Sequence, residues 1–97
     1  MRRAARIDGN HTEIVNALVE AGCSVQSLAG VGCGCPDLLV GLNGVNVLLE
    51  IKDGSKPPSQ RTLTEDQVKF RRSWKGQIAT VISPKDALSE VAAVAYK

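Results

Sequence analysis

Apolar residues recur along this chain with two different periods, and the switches between them outline the fold. Over residues 10–21, Ile14, Ala17, Leu18 and Ala21 fall at helical spacing, which predicts an amphipathic helix. Asn10 is placed to cap it, Glu13 to complete a capping box, and Gly22 to end it. Residues 23–28 read as a short strand and 29–35 as a glycine-rich loop. Residues 37–42 and 45–52 read as two strands joined by Asn43-Gly44, the dipeptide best suited to a type I′ turn. A second helix is expected over 63–75. Thr64 is its cap, Gln67 completes the capping box, and Leu63 with Val68 makes a hydrophobic staple. A strand over 77–82 follows, and Ser83-Pro84 opens a third helix with Pro at its first position. The order is α-β-β-β-α-β-α. The third strand, second helix and fourth strand form a crossover that would make those two strands parallel.

The two-residue turn sets a register. Leu42 then pairs with Val45, Val40 with Val47 and Leu38 with Leu49, which puts Asp37 across from Glu50. Strand side chains alternate faces, and this register sorts them cleanly. Leu38, Val40, Leu42, Val45, Val47, Leu49 and Ile51 share one face. Asp37, Leu39, Gly41, Asn46, Leu48, Glu50 and Lys52 share the other. Opposed residues have Cβ atoms about 4.5–5.5 Å apart, so two carboxylates there repel unless something cationic holds them. A divalent cation bound by oxygen ligands is one such reason, and Lys52 follows on the same face. The bland alternative is a surface hairpin edge carrying an ordinary Glu-Lys pair.

Composition narrows the class. The 97 residues suffice for one domain, 1–97, with a modest core, and 43% hydrophobic residues argue against disorder. A formal net charge of +2 does not by itself mark a nucleic-acid partner. Arg2, Arg3 and Arg6 crowd the N-terminus, and Lys69, Arg71, Arg72 and Lys75 crowd the second helix. Such clusters suit phosphates, or simply solvate a face. Lys69 and Arg72 should share one exposed helix face, as should Arg71 and Lys75. No apolar run is long enough to span a membrane, and no secretory h-region is seen. Three cysteines, Cys23, Cys33 and Cys35, read as free thiols in a reducing cytosol.

Pro36-Asp37 followed by Glu50-Ile51-Lys52 at the end of a hydrophobic strand resembles the PD-(D/E)xK nuclease signature. The chain order is similar to that superfamily's restriction-endonuclease-like αβββαβ core, an α/β fold with a mixed sheet flanked by helices. Closer still is the resemblance to the VRR-NUC family, in its small standalone phage-like form. There a Glu-Val-Lys motif is followed by a loop and a helix with Gln near its start, here Glu50-Ile51-Lys52, residues 53–62 and Gln67. The resemblance covers roughly residues 8–88. It implies a structure-selective DNA endonuclease dependent on Mg²⁺ or Mn²⁺, similar to Holliday-junction resolvases. It also implies a homodimer acting on branched or four-way DNA in the cytoplasm of a bacterium or phage-infected host. By motif, Asp37 and Glu50 become metal ligands, Lys52 the catalytic lysine, Glu13 a further acid ligand and Gln67 a catalytic glutamine. From their charge, not from the motif, Arg2, Arg3, Arg6, Lys69 and Arg72 are the expected DNA contacts. Ile51 in place of Val and a long proline-containing loop depart from the pattern.

Several residues have competing roles. Glu13 and Gln67 fit helix capping as well as chemistry, and the two roles are compatible. Phe70 and Trp74, four apart, suit core packing or, alternatively, base stacking. Cys33 and Cys35 with Cys23 and His11 match no common structural zinc spacing. Glycines 30, 32 and 34 lack the Lys-Ser/Thr sequel of a phosphate loop, so no nucleotide cofactor is expected. The third helix carries more apolar surface than one stripe needs, which suggests a dimer seam or a cap on the sheet. Rival readings are a non-catalytic DNA-binding or assembly module, and a sequence-specific restriction-type enzyme, for which the chain offers little base-reading surface.

Overall fold

The computed structural model describes residues 9–97, and Arg2, Arg3 and Arg6 lie outside the described residues. The elements are α1 (His11–Glu20), β1 (Ser24–Ser27), β2 (Leu38–Leu42), β3 (Val45–Ile51), a 3-10 turn (Pro58–Gln60), α2 (Glu65–Ser73), β4 (Ile78–Val81) and α3 (Pro84–Ala95). Asn43 and Gly44 take φ of 54° and 76°, the left-handed pair that a type I′ turn requires. Leu42 pairs with Val45 and Leu38 with Leu49, the register the turn dictates. The sheet runs β1-β2-β3-β4, antiparallel through β3, with β4 parallel to β3. It is an α/β fold built on a mixed four-stranded sheet.

The apolar face of the sheet is the core. Leu38, Val40, Val47, Leu49, Ile51, Ala79 and Val81 cluster with Ile14 and Leu18 of α1 and Ala87 and Val91 of α3. Burying each large aliphatic side chain contributes about 1.5–3 kcal/mol relative to exposure. Leu88 and Val94 also pack against this cluster, so α3 spends much of its apolar surface inside one chain. Ser83 Oγ caps α3 by accepting from Asp86 N, and Asp86 Oδ2 accepts from Ile82 N. No helix among the described residues is long and apolar enough to cross a membrane.

Asn10 does not act as the expected side-chain cap of α1. Its Nδ2 instead donates to the carbonyls of Lys52 and Ile82, at 3.1 and 2.9 Å. Those carbonyls end two parallel strands, where no further ladder would take them, and the amide ties the strands to α1. The expected capping box with Glu13 therefore does not form.

The second helix lies on the opposite, polar face, and none of its residues is buried. Its capping box is intact: Gln67 N donates to Thr64 Oγ1 and Thr64 N to Gln67 Oε1. The helix stops at Ser73, two residues short of the expectation, because Trp74 turns to extended backbone. Its indole leans on Gly76, where a Cβ would lie 2.8 Å from Nε1. Phe70 and Trp74 do stack, with ring centroids 5.5 Å apart, but Trp74 is 44% exposed. Phe70 is half-buried, and neither ring joins the core cluster.

The loop between β1 and β2 is pressed against the start of α2. A Cβ on Gly34 would lie 2.2 Å from the carbonyl oxygen of Asp66, and Gly34 has φ +79°. Gly44 shares the positive φ but faces open space. Gly44→Ala should therefore cost only the left-handed backbone penalty, about 1–2 kcal/mol. Gly34→Ala should cost measurably more in urea denaturation. Equal losses would refute the close approach of loop and helix.

Candidate functional site

Asp37 and Glu50 stand one step beyond the last ladder pair, Leu38 with Leu49, on the polar face. Glu50 is buried to 5% exposure, the one buried charged side chain among the described residues. A carboxylate withdrawn from water carries a desolvation cost, which a fold tolerates when cations or hydrogen bonds compensate it. Asp37 is half-buried and already committed at one oxygen. Odd-numbered N–H groups of β3 point toward β2, and the one on Ile51 passes the end of the ladder. Asp37 Oδ2 accepts it at 2.7 Å. The carboxylate thus replaces a missing strand carbonyl, while the backbone oxygen of Asp37 accepts from Leu28 N.

Lys52 follows Glu50 on the same face, half-buried, with its backbone N donating to Val81 O. Its Nζ donates to Gln67 Oε1 at 2.9 Å. That oxygen is the one that accepts from Thr64 N, so a single amide both closes the helix cap and holds the lysine. The cap and the contact to Lys52 thus share one Gln67 oxygen.

Two neighbours of the acids had weak signals in the sequence. Cys35 comes close enough that burial first, then the charges of Glu50 and Asp37, push its thiol above the ordinary range. Arg71 was expected on an exposed face with Lys75. It is half-buried, donates from Nη1 to Thr80 Oγ1, and lines a narrow cleft with Gly34, Glu50 and Gln67. Its spacing of four from Gln67 was the available clue.

Other expected site residues lie elsewhere. Glu13 is exposed and borders a separate open cavity with Asp53, Ser55 and Ser83. Within that rim, Ser55 donates twice to Asp53 Oδ1, which holds the Asp53 carboxyl below the usual carboxylate range. Among the described residues no three His, Cys, Asp or Glu side chains gather as a set able to hold a metal ion. Glu13 is therefore not gathered with Asp37 and Glu50. Lys69 and Arg72 are exposed on α2, Lys69 in a loose 3.9 Å contact with Glu65 of the kind worth little in water. Cys23, Cys33 and Cys35 are free thiols.

No family model matches the chain, and no curated protein or solved structure matches it.

The Asp37–Ile51 contact makes a stability prediction. Asp37→Ala leaves a strand-end N–H without its acceptor and should cost about 1–2 kcal/mol. Asp37→Asn, which retains a carbonyl acceptor, should recover most of that loss. Equal thermal stability of the two variants would show that the contact carries no weight.

Proposed function

We propose that this protein is a divalent-metal-dependent DNA endonuclease on a restriction-endonuclease-like αβββαβ core, structure-selective and similar in action to Holliday-junction resolvases. One observation carries the reading: two carboxylates, one of them buried, stand one register step past the Leu38–Leu49 pair, beside a lysine that a helix-cap glutamine holds in place. Opposed acids and an oriented cation on one sheet face are what hydrolysis of an anionic diester requires.

Asp37 and Glu50 are the residues that would hold Mg²⁺ or Mn²⁺. The fit rests on an all-oxygen pair in which Asp37 has one oxygen engaged and one to offer, and Mg²⁺ commonly takes only one or two protein carboxylates. A bound metal supplies Lewis acidity toward the phosphate and makes nearby water more acidic. Lys52 donates from Nζ to the attacked phosphate or to the attacking water, and Gln67 fixes the direction of that donation. Glu13 belongs to this reading only as an outer group, since it borders a different cavity. The rival is a non-catalytic DNA-binding module on the same fold.

Cleavage of duplex, flap, splayed and four-way DNA in Mg²⁺ and Mn²⁺ tests the proposal. The four-way or branched substrates should be cut best. Asp37→Asn and Glu50→Gln should be inactive, and Lys52→Ala should lose roughly a hundredfold or more in rate while still binding metal. Binding without cleavage by the unaltered protein would favour the non-catalytic module.

Two symmetric cuts in a four-way junction are most simply made by two-fold related sites, so the proposal includes a homodimer. Sedimentation at micromolar concentration should give twice the chain mass, free or on a junction. A monomer in both states would redirect the function to nicking flaps or simple duplexes.

A further inference from the structure

Arg71 is the cation whose position neither capping nor core packing explains. It lies one turn beyond Gln67 on the same stripe of α2, a helix with no buried residue, yet it is drawn inward while Arg72 beside it is exposed. Its Nη1 donates to Thr80 Oγ1, and Thr80 is the parallel-register partner of Glu50. The guanidinium therefore reaches across the polar face onto β4, next to the buried acid. Gln67 and Arg71, successive residues of one stripe, thus set two cations of different shape there: an ammonium held at Lys52 and a planar fork at Arg71.

The cleft that Arg71 shares with Glu50 and Gln67 has a volume of about 10 Å³. That is room for about one water, so no small molecule enters it. Any ligand of Arg71 must therefore approach it from outside the cleft. A guanidinium has five N–H donors, and Thr80 takes one. The remaining donors form a fork that matches two oxygens of a phosphate, which a neutral hydroxyl cannot satisfy.

We propose that Arg71 is a phosphate-binding residue of this site, gripping two non-bridging oxygens of a DNA backbone phosphate while Thr80 fixes the angle of its guanidinium. The assignment rests on the nuclease reading for its ligand, but it concerns binding and needs no metal. The alternative role is a counter-ion of Glu50 alone, which would affect folding and leave DNA affinity to other residues.

Equilibrium binding to a short duplex in EDTA, measured across a range of salt, separates the two roles. Arg71→Met should bind roughly tenfold more weakly at low salt. Its plot of log affinity against log salt should be shallower by about one phosphate contact. Arg71→Lys restores a charge without a fork: it should regain the salt slope yet cleave several-fold more slowly than the unaltered protein in Mg²⁺. An unchanged slope in a folded Arg71→Met variant overturns the assignment, and if the unaltered protein still cleaves, the nuclease reading stands without it. If Arg71→Met does not fold, Arg71→Lys decides alone, because binding in EDTA at the unaltered affinity would show that the fork is not used. An unaltered protein that neither binds nor cuts DNA overturns both.

Discussion

A strand places successive side chains on opposite faces, so shifting one strand of a hairpin by a single residue would send every core side chain of that strand to solvent. In this protein the shift is prevented at Asn43 and Gly44, whose paired positive φ values permit only the two-residue turn. Asn43 Nδ2 further donates to Ala95 O, which anchors the turn to the end of α3. The core depends on this register, because Leu38, Val40, Val47 and Leu49 all reach α1 and α3 through it. The same constraint stands Asp37 across from Glu50, so the apolar and acidic arrangements have a common origin.

The two faces of the sheet are held by different physics. On one, aliphatic burial locks α1 and α3 down. On the other, α2 is attached by polar contacts from Gln67 to Lys52 and from Arg71 to Thr80, and by the close approach of Gly34 to its first turn. Polar contacts are directional where apolar burial is not, so they fix the angles of the Lys52 and Arg71 side chains as well as the position of the helix.

Much of this was legible in the sequence because the deciding signals are local. The Asn-Gly turn, the Thr64–Gln67 box and Pro84 at the head of α3 each declare themselves within four residues, and all three form. The misreadings concern side chains whose partners are distant in the chain. Asn10 has the chemistry of a cap, but two carbonyls some 42 and 72 residues away compete for its amide and win. The bond from Ile51 N–H to Asp37 Oδ2 was likewise not visible in the sequence, because it depends on where the β2–β3 ladder ends. Arg71 could not be told from its charged neighbours, since α2 has no apolar stripe to show which side faces inward.

The double use of the Gln67 oxygen links local order to chemistry. A short helix without a buried residue is expected to open more readily than the core strands beneath it. Each time its first turn frays, the bond that aims the Lys52 ammonium breaks with it. Lys52 Nζ then keeps its Gln67 partner only while that turn is closed. Warming would thus release the Lys52 side chain at temperatures where the hydrophobic core is still intact.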